Sequence, residues 1–143
     1  MRKMLFRGKR TDNGKWVEGL GIIKNKYWAS ILTATFIGSY WVRPEYDVNE
    51  FSVIPETVGQ YTGVTDIHGN KIFEGDIIKH FNNPLSLSYD VYQVFFNETR
   101  CMFMGRLHKS WAAELRPNLK YEIIGNIYDN PELIKQEANN GKV

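Results

Sequence analysis

The side chains that could bind a metal ion or act as a nucleophile are few. No two of His68, His80 and His108 stand at the spacing of a zinc ligand pair, and none stands at that spacing from Cys101, the single cysteine. Cys101 lies in the mostly apolar segment 100–104, which predicts a small buried side chain rather than a reactive thiol. The sequence therefore predicts no metal site and no catalytic residue.

Glu74 and Asp76 are the carboxylates whose spacing could do chemistry, because residues two apart on an extended strand point the same way. Together they could hold a cation or act as an acid and a base. We favour a turn cap beside a solvated acid as the interpretation of this pair. An enzyme would require His80 or His108 to lie beside one of these carboxylates, or beside Cys101, in a cleft.

The glycines do not form a phosphate-binding loop. A nucleotide-binding loop needs closely spaced glycines followed by a lysine and a helix, whereas these are spread among predicted turns. The glycines concerned are Gly59, Gly63, Gly69 and Gly75. Nucleotide hydrolysis has no support, and we predict no cofactor.

The N-terminal region combines positive charge with aromatic rings. Residues 1–30 contain eight Lys or Arg and two acidic residues. Cationic side chains neutralise phosphates while exposed rings stack on unpaired bases, so the combination is typical of single-stranded nucleic-acid binding. In a β domain of this size tryptophans more often fill the core, which is the competing interpretation. The candidate surface for a protein or nucleic-acid partner comprises Arg7, Lys9, Arg10, Lys15, Trp16 and Trp28.

Acidic residues are concentrated further along the chain. The segment 45–76 contains seven acids and one lysine, although the formal net charge of the whole chain is only +2. Such an asymmetry can steer a partner or bring two copies of the chain together. A homo-oligomer is therefore one of the alternatives.

The composition is that of one folded domain. The chain has 143 residues, of which 43% are hydrophobic and 24% charged. We predict a single domain over 1–138 and a frayed tail over 139–143. No apolar run is long enough to span a membrane, and the basic start lacks the apolar stretch of a signal peptide. A reducing bacterial cytoplasm is the expected location, without a membrane partner.

An opening β-hairpin is predicted to position the basic and aromatic residues. The Asp-Asn-Gly segment at 12–14 supplies residues that tolerate positive φ angles, between strands at 4–7 and 16–20. Aromatic and β-branched residues predict more strands beyond it. These are placed at 27–32 and 36–42, after a turn at 25–26 and before Pro44.

The second half predicts a small SH3-like barrel or a strongly bent sheet. A turn at 66–70 is indicated by Gly69, which can adopt the left-handed conformation. Short strands are predicted at 77–81, 89–96, 100–107 and 121–128. The fold class is therefore mainly β, a β-rich α+β arrangement.

Two segments of the second half raise the question of a helix. Leu107, Trp111 and Leu115 are four residues apart, so 107–115 fits a short helix as well as it fits a strand. The segment 130–132 is a clearer signal, with an asparagine cap, a proline at the first helical position and an acid in the first turn. One short C-terminal helix is predicted.

Three sequence blocks together resemble the YopX family of phage and prophage proteins. Their order and spacing, rather than any single block, make the match specific, and they cover most of residues 5–134. The blocks are 6–10 with 13–19; 57–63 running through Asp66, Gly69 and Ile72 into 74–78; and 121–127 with 130–133. The segment 82–118 matches no pattern of the family and marks where this chain differs.

The resemblance implies a phage-encoded protein with a β-rich core and no established activity. It supplies no catalytic or binding residues for this chain. The motif positions have a structural interpretation: Gly75 and Asp76 suit a tight turn entering a strand, and Gly125 suits a β-bulge. The positions interpreted in this way are Gly63, Asp66, Gly69, Glu74, Gly75, Asp76, Gly125, Asn126 and Pro131.

The functional hypothesis follows from the resemblance and from the lack of a catalytic set. We expect a non-enzymatic phage or prophage accessory protein that binds a host or phage protein. Single-stranded nucleic-acid binding through the basic, aromatic N-terminal region is the first alternative. An enzyme whose site is not recognisable from the sequence is the second.

Overall fold

The computed structural model describes residues 3–36, 46–83, 85, 88–108 and 111–135. The fold is mainly β, with 58% strand, 6% helix, a curled half-barrel sheet and one short C-terminal helix. The predicted fold class is confirmed. The chain divides into two compact units, Met1–Gln60 and Tyr61–Val143. The single domain over 1–138 stays a prediction, and the tail at 139–143 lies outside the described residues.

Unit 1 begins with the predicted hairpin. Strand β1 (Phe6–Lys9) pairs antiparallel with β2 (Trp16–Gly19). The loop between them closes with a hydrogen bond from the Gly14 N–H to the Arg10 carbonyl at 3.1 Å. Gly14 has φ 68°, the conformation that favours glycine. The opening hairpin was therefore correctly predicted.

A three-stranded antiparallel sheet forms the rest of unit 1. Its strands are β3 (Gly21–Lys24), β4 (Ala29–Phe36) and β5 (Tyr46–Val53), in that order across the sheet. The prediction that a strand begins at 27 was wrong, because 25–28 form a turn and β4 starts at Ala29. Strand β5 was not predicted. Of the predicted strand at 36–42, all but Phe36 lies outside the described residues, as does Pro44.

The core of unit 1 lies between the hairpin and the sheet. Glycines allow the close approach: a Cβ on Gly8 would lie 2.8 Å from the Val53 side chain, and one on Gly19 would lie 2.2 Å from the Leu32 carbonyl oxygen. The core side chains are Ala29, Ile31 and Val53, with Phe6, Val17 and Val58 packed against them. The hairpin therefore lies directly on one face of the sheet, and the other face of the sheet points outward.

Unit 2 contains most of strand β6 (Gly59–Thr65) and a five-stranded antiparallel sheet. The first two residues of β6, Gly59 and Gln60, belong to unit 1, where they pair with β1. The remaining strands are β7 (Lys71–Phe73), β8 (Asp76–Phe81), β9 (Tyr89–Asn97), β10 (Met102–His108), β11 (Trp111–Glu114) and β12 (Tyr121–Asn126). The five-stranded sheet has the order β11-β10-β9-β8-β12. Its core includes Val64, Ile72, Ile78, Tyr92, Val94 and Tyr121.

The turn between β6 and β7 is organised by Asp66. One carboxylate oxygen accepts the backbone N–H groups of His68 at 3.0 Å and Asn70 at 2.9 Å. The other accepts the Ile123 N–H at 3.3 Å. Burial raises the pKa of Asp66, but these hydrogen bonds outweigh it and leave the pKa below its ordinary value. Gly69 has φ 81°, as the turn requires.

The turn that enters β8 has the geometry of a tight turn. Gly75 has φ 90°, and the Asp76 carboxylate accepts the Phe73 N–H at 2.8 Å. Asp76 is 1% exposed. The Asp76 carboxylate is therefore buried and accepts a hydrogen bond from a backbone amide.

The C-terminal part of unit 2 contains the predicted bulge and the helical turn. The register of β12 against β8 shifts between Ile123 and Gly125. Strand β12 ends at Asn126, whose side-chain oxygen accepts the Tyr128 N–H at 3.0 Å. The strand predicted at 121–128 is therefore shorter than expected. A helical turn follows at 132–135, after Pro131.

Two sequence interpretations in unit 2 are decided by the structure. The segment 107–115, which fitted a helix as well as a strand, forms strands where it is described: β10 runs through His108 and β11 begins at Trp111. The prediction that Cys101 is buried was wrong, because it occupies the turn between β9 and β10, where it is exposed with φ 53°. Cys101 is exposed because it lies in a turn, although its neighbours in the sequence are mostly apolar.

No helix within the described residues has the length and hydropathy needed to span a bilayer.

Candidate functional site

An open groove of about 490 Å³ lies on unit 1, within the range typical of ligand sites. Two aromatic rings, a proline and several polar side chains line it. The residues that matter most are Tyr27, Trp28, Ser30, Glu50, Ser52 and Pro55. We call this site the aromatic groove.

The floor of the aromatic groove is the outward face of the three-stranded sheet. Side chains alternate along a strand, so Ile31 and Val53 point into the core while Ser30 and Ser52 lie on the opposite face, where Ser30 is buried and Ser52 is exposed. Ser30 and Ser52 are directly opposite each other in the pairing of β4 with β5. Glu50 lies two residues before Ser52 and therefore shares its face.

Asn25 holds the aromatic wall of the groove. Its side-chain oxygen accepts the backbone N–H groups of Tyr27 at 2.7 Å and Trp28 at 2.9 Å. Its own backbone N–H donates to the Trp28 carbonyl at 2.9 Å. This is an Asx-type turn, in which a side chain replaces backbone hydrogen bonds. The turn presents two rings to solvent, with Tyr27 80% and Trp28 49% exposed.

Pro55, which also lines the groove, begins the 3₁₀ turn Pro55–Thr57. The buried Thr57 hydroxyl donates to the Ile54 carbonyl at 2.7 Å and accepts the Lys9 N–H at 2.9 Å. The Ile54 N–H in turn donates to the Lys9 carbonyl at 2.8 Å. These bonds connect the 3₁₀ turn to the end of β1 and hold Pro55 in place.

Thr11 also lines the groove. Its backbone N–H donates to the Ser52 carbonyl at 3.1 Å. The preceding residue, Arg10, lies over the Phe51 ring, with its guanidinium carbon 4.7 Å from the ring centroid. Arg10 also donates to the Asp12 carboxylate, at 2.9 Å from Nε, and this bond holds the pKa of Asp12 below its ordinary value. The positive charge of Arg10 is therefore balanced locally.

The lining of the groove carries a negative charge. Among the described residues that line it, Glu50 is the one charged side chain. Lys26 lies beside the aromatic wall, with its ammonium group 5.6 Å from the Tyr27 ring centroid. The lining therefore combines the negative faces of aromatic rings with one carboxylate.

Apolar side chains extend the surface beyond the groove. Ile23 is 42% exposed and Val48 is also exposed on the outward side of the same sheet, and Ile54 is exposed directly after β5 ends. Scattered exposed apolar residues are ordinary on a protein surface, but several on one sheet face beside a groove indicate an interaction surface. The arrangement suits binding of an extended segment rather than chemistry on it.

Comparison with known proteins agrees with the three sequence blocks. The family model described as YopX protein matches residues 5–135. This chain belongs to the YopX family. The predicted resemblance is confirmed.

A solved structure shares the fold of this YopX-family chain. The crystal structure of protein EF1440 from Enterococcus faecalis superposes with a TM-score of 0.56 at 20% sequence identity. The match covers 92% of this chain and 97% of that chain. At this identity the likeness shows the fold alone. No curated protein matches the chain.

The structure distributes the predicted surface of the YopX-family chain over different places. Arg7 lies over the Trp16 ring at 4.6 Å, and Lys9 is directly opposite Trp16 in the hairpin. These three alternate with core-facing residues, so they lie on the hairpin face that points away from the sheet. Trp28 lies in the aromatic groove, on the outward face of the sheet instead. Lys15 is exposed beside the hairpin loop.

The surroundings of His80, one of the histidines considered for an enzyme, are aromatic. His80 packs against the rings of Tyr92 at 5.8 Å and Tyr121 at 5.4 Å. These rings line a cavity of about 20 Å³ that also reaches Glu114, enough for about one water molecule. Burial, followed by the charge of Asp90, raises the pKa of Tyr92 to about 12. The described residues contain no cluster of three metal-binding side chains.

Several groove residues were missed by the sequence analysis of this YopX-family chain. Asn25 was read only as a turn residue, although an asparagine two positions before an aromatic pair can fix both rings. Glu50, Ser52 and Pro55 carry no local signal. They reach the groove because β5 pairs with β4, which is a long-range relationship.

Proposed function

We propose that this YopX-family protein is a non-enzymatic binding module that holds an extended segment of another protein in the aromatic groove. The observation that carries the proposal is the exposed pair Tyr27 and Trp28, fixed by Asn25 beside an open groove. Rigid aromatic side chains supply large contact area at a low cost in side-chain entropy. Such anchors are typical of protein-binding surfaces.

A macromolecular partner fits this groove better than a small molecule does. The groove is open, and exposed apolar residues such as Ile23 and Ile54 continue its surface. A small-molecule site usually encloses most of its ligand. A chain segment can instead cover the whole lining of the open groove at once.

Nucleic acid is the weaker candidate because the cations are dispersed. Arg7 and Lys9 lie with Trp16 on the hairpin face, whereas Trp28 lies in the groove. A polyanion would also meet Glu50 in the groove lining. Phosphate binding requires several cations along one track, and the described lining of the groove contains no Lys or Arg.

The proposal also includes the biological role and the cellular location of the protein. We infer a phage or prophage accessory role, in the cytoplasm of a bacterial host, from the family. The partner would then be a host or phage protein. A second copy of the chain is a competing occupant of the groove.

A pull-down with matched variants tests the function. Tagged wild-type protein, the double variant Tyr27→Ala/Trp28→Ala and the control Leu85→Ala are each incubated with bacterial lysate, with and without nuclease. Leu85 is an apolar residue that is 96% exposed in unit 2, so its removal matches the loss of exposed apolar surface. Circular dichroism establishes that all three are folded.

The expected result is a protein that wild type and Leu85→Ala retain after nuclease and that the double variant loses. Retention by the double variant at the wild-type level would contradict the groove as the site. Loss of the partner with nuclease would identify nucleic acid instead.

A further inference from the structure

The lining of the aromatic groove has a definite chemical preference. Two exposed rings, Tyr27 and Trp28, line the groove together with Pro55 and with the hydroxyl residues Ser52 and Thr11. Glu50 is the charged member of the lining. Each of these groups favours a particular feature in an occupant.

We propose that the aromatic groove recognises an extended, proline-containing segment of a partner protein that carries an arginine or lysine. The cationic side chain stacks on the Trp28 ring and pairs with Glu50, while proline rings pack against Tyr27 and Pro55. The inference rests on the proposed function and specifies the chemistry of the partner segment.

The preference for a cation follows from two negative features. The face of an aromatic ring carries negative electrostatic potential, and tryptophan attracts cations most strongly among the aromatic side chains. Glu50 adds a full negative charge in the same lining. A segment that carried aspartate or glutamate at this point would be repelled by both.

The same unit already uses cation–ring contacts beside the groove. The guanidinium of Arg10 lies 4.7 Å from the Phe51 ring centroid, and the ammonium of Lys26 lies 5.6 Å from the Tyr27 ring centroid. Both contacts are within the distance at which the attraction is effective. An incoming arginine at Trp28 would reproduce geometry that the unit contains.

The preference for proline follows from the shape and the entropy of the segment. Proline-rich segments adopt the polyproline II conformation before binding, so little conformational entropy is lost when they dock in an aromatic-lined groove. Their backbone makes no internal hydrogen bonds, which leaves carbonyl groups to accept hydrogen bonds from hydroxyls such as that of Ser52. The exposed Tyr27 ring supplies a flat face for a pyrrolidine ring, next to the cation on Trp28.

The test uses fluorescein-labelled synthetic peptides and fluorescence anisotropy. The first probe is a short polyproline peptide with one arginine, and the second has glutamate in place of that arginine. A third has the arginine in a glycine–serine chain without proline. The proteins are wild type, Glu50→Lys, Trp28→Ala and the control Glu56→Lys, which makes the same charge change at an exposed residue that does not line the groove.

Wild type is expected to bind the arginine–proline peptide about tenfold more tightly than either other peptide. Glu50→Lys should reverse the preference between arginine and glutamate, and Glu56→Lys should keep it. Reversal by a folded variant cannot arise from unfolding. Equal affinity for all three peptides, or a preference that Glu50→Lys leaves unchanged, would overturn the proposal.

The proposal and the proposed function fail in different ways. A lysate protein that depends on Tyr27 and Trp28, together with no peptide preference, would keep the groove as a protein-binding site and reject this segment chemistry. Binding of the arginine–proline peptide that Trp28→Ala leaves intact would reject the groove itself. Self-association that Trp28→Ala abolishes, measured by analytical ultracentrifugation, would identify a second copy as the occupant and overturn the proposal.

Discussion

Asn25 and Trp28 are joined by two hydrogen bonds of opposite direction. The Asn25 side-chain oxygen accepts the Trp28 N–H at 2.9 Å, and the Asn25 N–H donates to the Trp28 carbonyl at 2.9 Å. The indole is therefore attached to a residue whose backbone amide and carbonyl are both fixed by hydrogen bonds. A binding surface built on a turn gains affinity when the turn is preorganised, because less entropy is lost on binding.

We predict that Asn25→Ala weakens partner binding through the loss of this preorganisation. The variant loses the acceptor for the Tyr27 and Trp28 amides, which should lower the free energy of unfolding by about 1 kcal/mol. Urea denaturation measures the stability, and ¹⁵N relaxation of the Trp28 indole measures the mobility of the ring. The indole should become more mobile.

The hairpin loop supplies a matched control for that variant. The Asn13 side-chain oxygen accepts the Lys15 N–H at 2.9 Å, so Asn13→Ala removes the same kind of turn bond away from the groove. Asn13→Ala should lose comparable stability and keep wild-type binding. Equal binding by Asn13→Ala and Asn25→Ala would show that the turn does not act on the groove.

A second prediction concerns acid stability and Asp66. The pKa of this carboxyl is lowered in the folded state by the backbone N–H groups of Asn70, Ile123 and His68, against the opposing effect of burial. A lowered pKa means that the carboxylate contributes stability above the unfolded-state pKa of about 3.9 and that the contribution is lost as the pH falls through the folded-state pKa. Asp66→Asn should therefore be destabilised by about 1–2 kcal/mol at neutral pH.

The pH profile separates this charge effect from a packing effect. Urea unfolding of wild type and Asp66→Asn should give free energies that begin to converge as the pH falls below about 4, where unfolded Asp66 becomes neutral, and that converge further as the pH falls through the lower folded-state pKa. A difference that stays constant from neutral to acidic pH would mean that the charge of Asp66 makes no contribution.

The turns could be predicted from the sequence because their chemistry is local. Gly14 and Gly69 both adopt positive φ in turns expected from the sequence. Strand β5 could not be predicted in the same way, since its sequence mixes polar and apolar residues. It is a strand because it pairs with β4 over its whole length, and that pairing is decided by distant residues.

The segment 107–115 shows why periodicity alone could not decide between a helix and a strand. Leu107 and Leu115 do pack on the core of unit 2, and Trp111 stacks on Tyr92 at 6.0 Å. The antiparallel pair of β10 and β11 brings these side chains to the same face, as one face of a helix would. The register shift of β10 between Arg106 and His108 breaks the simple alternation that would have indicated a strand.

The groove could be predicted only in part for the same physical reason. Trp28 was placed on the candidate surface from its type and its neighbours. Glu50 and Pro55 lie more than 20 residues away in the sequence and meet Trp28 only through the sheet. Residues brought together by strand pairing leave no common signal in one sequence.

A third prediction follows from the exposure of Cys101. Its thiol lies in the turn between β9 and β10 and donates to the Glu98 carbonyl at 3.4 Å. An exposed thiol should react fully with Ellman's reagent in the native protein, without denaturant. Reaction only after unfolding would contradict the turn geometry and restore the buried position that the sequence predicted.

The fourth prediction compares two glycines that share a conformation but not an environment. Gly69 has φ 81° and Gly75 has φ 90°, so alanine at either position pays the left-handed penalty of about 1–2 kcal/mol. Within the described residues nothing lies within 4 Å of a Cβ at Gly69, whereas a Cβ at Gly75 would lie 2.9 Å from the Tyr128 ring. Gly75→Ala should therefore be the more destabilising of the two by at least about 1 kcal/mol.

Chemical denaturation of the two alanine variants measures this difference directly. Because the φ angles are nearly equal, their conformational penalties cancel in the comparison, and the remainder reports the clash with Tyr128. Equal loss of stability would mean that the Tyr128 ring can move aside without cost. A larger loss at Gly75 would establish that close packing on this turn, as well as its backbone conformation, requires glycine at the entry to β8.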